Sequence, residues 1–129
     1  MKIASFSPNL MVKNVNKSIE FYCNILGFSL IQTMPEGGEP EWGMTEKDGF
    51  FVMFQKEESI KQEYPELDSY NTGGALTFYI KITNIQEFYD KIRSHVKVSH
   101  EMHKTFYGAD EFAIADPDGF ILVFSEIAE

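Results

Sequence analysis

The sequence predicts an α+β fold built from two tandem copies of a βαβββ unit. Three observations predict this fold: an internal repeat, strand-like segments that alternate in polarity, and one helical stripe of apolar residues in each half. When the chain is shifted by 70 residues, segment 48–54 falls on 118–124 with four of seven pairs identical and the other three apolar. The same shift aligns 10–15 with 80–85. Two copies are too few for a solenoid, so the pattern indicates a duplicated module.

The first copy begins with a strand predicted at Phe6–Val12, where apolar residues alternate. Asn14 follows it and is a residue type favoured just before a helix. The predicted helix ends at Gly27 and carries an apolar stripe made of Val15, Ile19, Tyr22 and Leu26. Three more strands, separated by glycine-containing turns, are predicted at Gly27–Met34, Glu41–Glu46 and Phe50–Gln55.

The second copy repeats this order. A strand is predicted at Leu76–Ile82, and Asn84 precedes the second helix as Asn14 precedes the first. The helical stripe consists of Ile85, Phe88, Tyr89 and Ile92. The last three strands are predicted at Lys97–Met102, Phe112–Asp116 and Phe120–Ser125.

The length of 129 residues fits one domain, which we expect to span 1–129. Within it, the first module covers about 3–56 and the second about 74–127. The segment between them, about 57–73, is rich in glutamate and contains Pro65 and a glycine pair, so we expect a solvated connector.

The composition excludes several classes of function. Eleven basic and twenty acidic residues give a net charge of −9, which repels nucleic acids and anionic membrane surfaces. No segment approaches the roughly 18 apolar residues of a membrane span, so we expect a cytoplasmic protein. The single cysteine, Cys23, excludes an internal disulfide, and we interpret it as a half-buried helical thiol.

Strand residues alternate between two sheet faces, and their parity sorts them into two sets. The even set is almost entirely apolar and is expected under the helices: Phe6, Leu10, Val12, Val52, Phe54, Leu76, Phe78, Ile80, Ile82, Leu122 and Phe124. The odd set mixes polar and apolar groups: Ser5, Ser7, Asn9, Phe51, Met53, Gln55, Thr77, Tyr79, Ile121, Val123 and Ser125. This mixture is typical of a ligand cavity, although a sheet face covered by a dimer partner is an equal interpretation.

Two segments carry a resemblance to a known family. The run from Asn14 to Tyr22, closed by Leu26 to Phe28, and the run from Phe112 to Gly119 resemble the vicinal oxygen chelate superfamily. That superfamily includes glyoxalase I, bleomycin-resistance proteins, extradiol dioxygenases and fosfomycin-modifying enzymes. The resemblance implies paired βαβββ modules whose strands form a cupped mixed β-sheet around a cavity, with the helices outside. It also implies a homodimer.

In metal-dependent members of that superfamily, the first and last strands of each module supply the metal ligands. Carried onto this chain, those positions hold Ser7, Met53, Thr77 and Val123. Two hydroxyls, a thioether and an isopropyl group do not bind a catalytic divalent ion, so we predict no metal and no other cofactor. Without a Lewis acid, glyoxalase and dioxygenase activities lose their mechanism.

The histidines offer no replacement for those ligands. His100 and His103 are three residues apart, which on a regular strand sends the two rings to opposite faces. We therefore expect both to be surface or hydrogen-bonded residues, and we assign no catalytic residue.

The predicted pocket lining combines large groups with hydrogen-bonding groups. The large groups placed at its wall or rim are Trp42, Phe51, Tyr79, Phe106 and Tyr107. Hydrogen bonds are expected from Ser7, Asn9, Gln55, Thr77 and Tyr79, with Met53 and Val123 completing the lining. Such a pocket suits a small molecule, and the aromatic rings and acidic loops would suit one that is aromatic or cationic.

Three functions remain open at this stage. The first is a small-molecule binding protein similar to the bleomycin-resistance branch, which sequesters its ligand without bond chemistry. The second is an enzyme of the same superfamily, a lyase, dioxygenase or transferase, with an atypical metal site or with Tyr79 or a histidine as acid or base. The third is a dimeric interaction module.

Overall fold

The structure is a computed structural model that describes residues 1–127. The chain divides into two units, Met1–Thr72 and Gly73–Glu129. Each unit holds one four-stranded mixed sheet, and the strands and helices follow the predicted order. The expected α+β fold with tandem βαβββ modules is therefore confirmed, with the strands hydrogen-bonded into two sheets, one per unit.

The first unit contains four strands and two α-helices. Its βαβββ elements are β1 (Asn9–Val12), α1 (Val15–Asn24), β2 (Ser29–Met34), β3 (Trp42–Lys47) and β4 (Phe50–Lys56). The sheet order is β1-β4-β3-β2, in which β1 runs parallel to β4 and the other pairs are antiparallel.

Helix α1 begins and packs as the sequence predicts. The Asn14 side chain accepts a hydrogen bond from the backbone N–H of Lys17 at 3.0 Å, which satisfies one free amide of the first turn. On its buried face, the Tyr22 ring lies 4.8 Å from the ring of Phe54 on β4. Because Phe54 is an even-numbered strand residue, this contact confirms which sheet face lies under the helix.

The connector is more ordered than predicted. It forms helix α2 (Glu57–Glu63) and a 3₁₀ turn (Pro65–Leu67), two elements that the sequence analysis did not predict within the solvated connector. Ile60 is buried and anchors α2, which contacts β1 and β4. Acidic residues in the first turn and an ion pair between Lys61 and Glu57 at 3.4 Å also favour the helix. The glutamate-rich composition of the connector gave no indication that Ile60 would be buried and would hold α2 against the sheet.

The second unit repeats the arrangement, and no helix corresponding to α2 is found among its described residues, 73–127. Its elements are β5 (Thr77–Lys81), α3 (Ile85–Ile92), β6 (Lys97–Lys104), β7 (Ala109–Ala115) and β8 (Ile121–Ile127). The sheet order is β5-β8-β7-β6, with β5 parallel to β8. Rings of α3 pack on rings of the sheet, with Tyr89 4.8 Å from Phe112 and Phe88 5.1 Å from Phe124.

Helix α3 begins differently from α1. Asn84 has a left-handed conformation with φ of 56°, and its side chain makes no capping hydrogen bond. Instead, the carboxylate of Glu126 on β8 accepts hydrogen bonds from the backbone N–H groups of Asn84 and Ile85, each at 3.0 Å. The prediction from Asn84 located the helix start correctly but missed the group that caps it.

Two even-numbered residues leave the predicted core. Phe6 and Leu76 are exposed because strands β1 and β5 begin later than predicted, at Asn9 and Thr77. Within residues 1–127, no helix is long and apolar enough to span a membrane.

Candidate functional site

The mixed face of the first unit carries a pair of bonded amides. Asn9 on β1 donates through Nδ2 to Oε1 of Gln55 on β4 at 2.9 Å. The Nε2 group of Gln55 in turn donates to Ser59 Oγ at 3.0 Å and to Glu63 Oε1 at 3.3 Å, both on α2. Asn9 Oδ1 is buried and has no hydrogen-bond partner within residues 1–127. The two predicted hydrogen-bonding residues are thus brought together and held by the connector helix.

Apolar groups surround this amide pair. Trp42 lies opposite Gln55 in the antiparallel register, and Met53 lies beside Asn9 in the parallel register. Residues opposite one another on paired strands present their side chains on the same face. Ser7 sits just before β1, and its hydroxyl donates to the backbone carbonyl of Phe51 or of Pro8, each at 3.2 Å, so this group is already engaged with the backbone.

In the second unit, three hydroxyl side chains meet around the carboxylate of Glu111, and we name these four residues the Glu111 cluster: Tyr79, Tyr107, Glu111 and Ser125. Tyr79 on β5 donates to Oε2 of Glu111 at 2.9 Å and lies 3.0 Å from Ser125 Oγ. Ser125 Oγ donates to the same carboxylate oxygen at 3.0 Å. Tyr107 also donates its hydroxyl proton to Glu111 Oε2. The cluster therefore joins β5, β7, β8 and the turn between β6 and β7.

The turn that carries Tyr107 is closed by hydrogen bonds of its own. Thr105 Oγ1 accepts from the Ala109 N–H at 3.0 Å, and the Gly108 N–H donates to the Thr105 carbonyl at 3.1 Å. Gly108 has φ of 86°, a conformation that favours glycine. These contacts place Tyr107 over Glu111, and they leave Phe106 exposed at the tip, with its ring 5.0 Å from that of Tyr107.

The electrostatics of the cluster follow from these hydrogen bonds. Glu111 is only 8% exposed, and its burial disfavours the charged form. Hydrogen bonds from Tyr107, Tyr79 and Ser125, together with the nearby charge of His103, outweigh burial and hold the pKa of Glu111 below its ordinary value. Conversely, the hydrogen bond to Glu111 raises the pKa of Tyr107, because a phenolate there would face the carboxylate. Glu111 is thus ionised and Tyr107 protonated at neutral pH.

The two units place polar pairs at equivalent positions. Tyr79 lies 70 residues after Asn9, and Ser125 lies 70 residues after Gln55. Each pair is hydrogen-bonded between the first and last strands of its own sheet. The third position differs, since Trp42 lies opposite Gln55 whereas Glu111 lies opposite Ser125. The side chain at this third position is consequently neutral in the first unit and anionic in the second.

Sequence reasoning missed Glu111. The predicted strand began at Phe112, whereas β7 begins at Ala109. Extending that strand upstream by one residue would have assigned Glu111 to the odd face, two residues before Ala113. Ser125 was assigned to the odd face but was not selected for the pocket.

The positions that the family resemblance marks for metal ligands do not fit a metal. Met53 and Val123 are half-buried on β4 and β8, and Thr77 is exposed on β5. With Ser7, they offer no imidazole and no carboxylate, which are the groups that bind catalytic divalent ions in such sites. Within residues 1–127, no group of three or more histidine, cysteine or acidic side chains is arranged to hold a metal ion.

The histidine prediction needs one correction. His100 and His103 pair with Ala113 and Glu111, which are two residues apart and therefore share a face of β7. The alternation rule predicted opposite faces, but β6 has two irregularities, one before His100 and one after it, which break the alternation. Both histidines are exposed, as expected.

The lone thiol is consistent with a structural role. Cys23 is half-buried on α1, and burial raises the pKa of its thiol. A raised pKa lowers the fraction of reactive thiolate.

A cleft of about 790 Å³ lies beside the Glu111 cluster in the second unit. Its lining consists of Lys81, Ile82, Thr83, Asp110, Ser125, Glu126 and Ile127. Ser125 belongs to both the cleft and the cluster. None of the residues predicted to line the pocket lines this cleft.

Comparison with known proteins gives a consistent result for the fold. The family model of the Glyoxalase/Bleomycin resistance protein/Dioxygenase superfamily matches residues 2–124. A search of curated proteins returns no match.

Solved structures agree with that family model. A protein of unknown function from Agrobacterium tumefaciens is 20% identical with a TM-score of 0.79, and the alignment covers 99% of this chain and 97% of that one. A glyoxalase/bleomycin resistance protein/dioxygenase from Nocardioides is 17% identical with a TM-score of 0.79, covering 100% and 87%. TioX from Micromonospora is 13% identical with a TM-score of 0.72, covering 97% and 100%. At these identities the likeness concerns the fold alone.

Proposed function

Because the chain belongs to the glyoxalase/bleomycin resistance protein/dioxygenase superfamily, we propose that it binds a small molecule and sequesters it without catalysing a reaction. One observation carries this proposal: hydrogen-bonding groups are fixed among apolar side chains on the sheet faces opposite α1 and α3. Asn9 and Gln55 do so in the first unit, and the Glu111 cluster does so in the second. Apolar walls with a few placed polar groups are typical of ligand sites.

The binding would rest on stacking and hydrogen bonding. Trp42 and Phe51 are half-buried, and Tyr79 and Tyr107 are about half exposed, so each has ring surface available. Well-placed aromatic pairs contribute about 0.5–1.5 kcal/mol each beyond their buried area. The amides and hydroxyls would then set the orientation of the ligand.

The chemistry of the cluster supports binding over proton transfer. A general base works best with a pKa near the operating pH. Tyr107 is held protonated, because its hydrogen bond to Glu111 raises its pKa, and three hydroxyl donors lower the proton affinity of Glu111. Neither group is thereby suited to exchange protons at neutral pH.

A superfamily enzyme is the second candidate. The observation in its favour is the convergence of two phenols and a serine on one buried carboxylate, since perturbed groups of this kind also occur in active sites. Such an enzyme, a lyase, dioxygenase or transferase, would use an atypical metal site or none.

A dimeric interaction module is the third candidate. Strand β2 is an edge strand of the first sheet, and Leu30, Ile31 and Met34 on it are exposed. Exposed apolar residues on an unpaired edge favour contact with a second chain. Size-exclusion chromatography with light scattering tests this: a homodimer is expected, and a monomer at all concentrations would contradict it.

Equilibrium dialysis and elemental analysis together test the main proposal. Protein purified without a metal-affinity tag is dialysed against a panel of aromatic and cationic small molecules, and each bound compound is recovered and checked by mass spectrometry. We expect saturable binding of at least one compound, its recovery unchanged, and far less than one metal ion per chain. Binding of no compound would contradict the proposal, and near-stoichiometric zinc, nickel, manganese or iron would favour the enzyme.

A further inference from the structure

We propose that the Glu111 cluster recognises a cationic hydrogen-bond donor, an ammonium or guanidinium group of the bound molecule. The proposal rests on the small-molecule binding function and adds to it the chemical class of the group that is bound. It concerns the second unit alone.

The hydroxyl groups of the cluster determine which hydrogen bonds a ligand can make with it. Tyr79, Tyr107 and Ser125 each have one hydroxyl proton, and all three protons are used within the cluster: Tyr107 and Ser125 donate to Glu111 Oε2, and Tyr79 donates to Glu111 Oε2 or to Ser125 Oγ. The hydrogen-bonding capacity left at the cluster consists of lone pairs on the phenol oxygens and on the second carboxylate oxygen. A ligand group that meets this surface must therefore donate hydrogen bonds. A carboxylate or phosphate would find acceptors only.

The negative charge of Glu111 also favours a cationic ligand group. Glu111 is buried and ionised, and within residues 1–127 no lysine or arginine forms an ion pair with it. Lys104 on the neighbouring strand β6 is the lysine closest in sequence to Glu111, and it pairs with Asp110 at 2.9 Å. The cluster thus carries a negative charge that hydroxyl dipoles stabilise, and its cationic neighbour is His103, which pairs with Glu111 in the strand register and whose charge lowers the pKa of Glu111. An ammonium or guanidinium group keeps its full positive charge at neutral pH, and a desolvated site strengthens the attraction.

Exposed aromatic rings lie around the carboxylate of Glu111. Tyr79 and Tyr107 are 50% and 47% exposed, and the fully exposed Phe106 packs edge-on against Tyr107. The faces of such rings attract cations within about 6 Å of the ring centre. Asp110 and Glu126 also line the adjoining cleft, although their carboxylates are engaged by Lys104 and by the first amides of α3. The free acceptor lone pairs, the negative charge and the exposed aromatic rings therefore all favour a cationic ligand group that donates hydrogen bonds.

Matched probe pairs that differ in charge test the proposal. We choose benzylamine with benzyl alcohol, 1-naphthylmethylamine with 1-naphthylmethanol, and tryptamine with tryptophol. Affinities are measured for the full chain by ¹H–¹⁵N NMR titration at neutral pH. We expect each amine that binds to do so at least about tenfold more tightly than its alcohol, a preference in the range measured for charge-assisted contacts. The largest shifts are expected at the amides of Glu111 and Ser125.

The Glu111→Gln variant then isolates the charge. Its amide keeps the size of the side chain and one oxygen that accepts hydrogen bonds, so we expect the amine preference to fall to about one while the alcohol affinity stays within about twofold. The control Glu101→Gln removes an exposed carboxylate from β6 and should keep the preference. If Glu111→Gln does not fold, Tyr107→Phe keeps the ring and the charge but removes one donor from the carboxylate, so the amine preference should be at least as large as in the wild type, and its loss would overturn the assignment.

The possible outcomes distinguish a failure of the cation assignment from a failure of the proposed small-molecule binding function. Equal affinities for amines and alcohols, or an amine preference that survives Glu111→Gln, would overturn the cation assignment and leave the binding function standing. Tighter binding of 1-naphthylacetate than of 1-naphthylmethylamine would overturn it as well. Binding of no probe of either charge would contradict the binding function itself, and the assignment with it.

Discussion

Tyr79 on β5 reaches across the central strand β8 to donate a hydrogen bond to Glu111 on β7, with 2.9 Å between the two oxygens. Three strands of one sheet are therefore linked on their mixed face by side chains as well as by the backbone ladder. The hydroxyl groups that donate to Glu111 favour its ionised form. Protonation of the carboxylate weakens these hydrogen bonds, so the link between the strands depends on pH.

The first prediction concerns acid stability. Because the folded-state pKa of Glu111 is lowered from about 4.5, the carboxylate stabilises the protein fully above that pH, and this contribution is lost as the pH falls through the folded-state value. We expect the free energy of unfolding of the wild type to fall more steeply below about pH 4.5 than that of Glu111→Gln. Urea unfolding at a series of pH values measures this. Glu101→Gln should follow the wild-type curve, and parallel curves for the wild type and Glu111→Gln would contradict the prediction.

The second prediction concerns Tyr107 at alkaline pH. Its folded-state pKa is raised above 10, chiefly by the hydrogen bond to Glu111, so its stabilising contribution is present below pH 10 and lost as the pH rises through the folded-state value. Ultraviolet titration of the six tyrosines should show a late-ionising phenol that disappears in Tyr107→Phe. In Glu111→Gln, the same phenol should ionise at lower pH, because the neighbouring negative charge is gone. Identical titrations of the wild type and Tyr107→Phe in the late region would refute this.

The third prediction concerns the core of the first unit. Phe54 is completely buried on β4 against Tyr22, whereas Phe50 on the same strand is 73% exposed. We expect Phe54→Ala to lower the free energy of unfolding by about 3–5 kcal/mol, since it leaves a cavity. Phe50→Ala makes the same chemical change and should cost about 0.5 kcal/mol or less. Chemical denaturation of both variants gives the comparison, and similar losses would show that Phe54 is not part of the buried core of the first unit.

The fourth prediction concerns the start of α3. Glu126→Ala removes both acceptors from the N–H groups of Asn84 and Ile85, and we expect a loss of about 0.5–2 kcal/mol, as for other helix caps. Hydrogen exchange at these two amides should become faster. Glu87→Ala removes another acidic group from the first turn of α3 and serves as the control for helix charge. Unchanged protection of Ile85 in Glu126→Ala would count against the capping role.

Most of the fold could be predicted because it is written in local patterns. The repeat and the helical stripe identified α1, and the alternation of residues assigned Phe54 and Phe124 to the face under the helices. Glycine-containing turns located the strand ends within a few residues. These signals depend on nearest neighbours along the chain, which the sequence displays directly.

The features that escaped prediction depend on partners far away in sequence. Glu126 caps a helix that begins about forty residues earlier, and no local pattern links the two. Ile60 orders the connector only because β1 and β4 offer it a surface. Glu111 lay one residue outside a predicted strand, so the parity argument did not reach it. The candidate site was therefore predicted in part, with Tyr79, Tyr107, Asn9 and Gln55 identified and their central carboxylate missed.

The cap on α3 also bears on the order in which the polypeptide matures during synthesis. The amide protons that open this helix bind a carboxylate 41 residues further along the chain. Glu126 is added to the growing polypeptide 41 residues after Ile85. The first turn of α3 can therefore acquire its final capping partner only after β8 has been synthesised and has taken its place in the sheet.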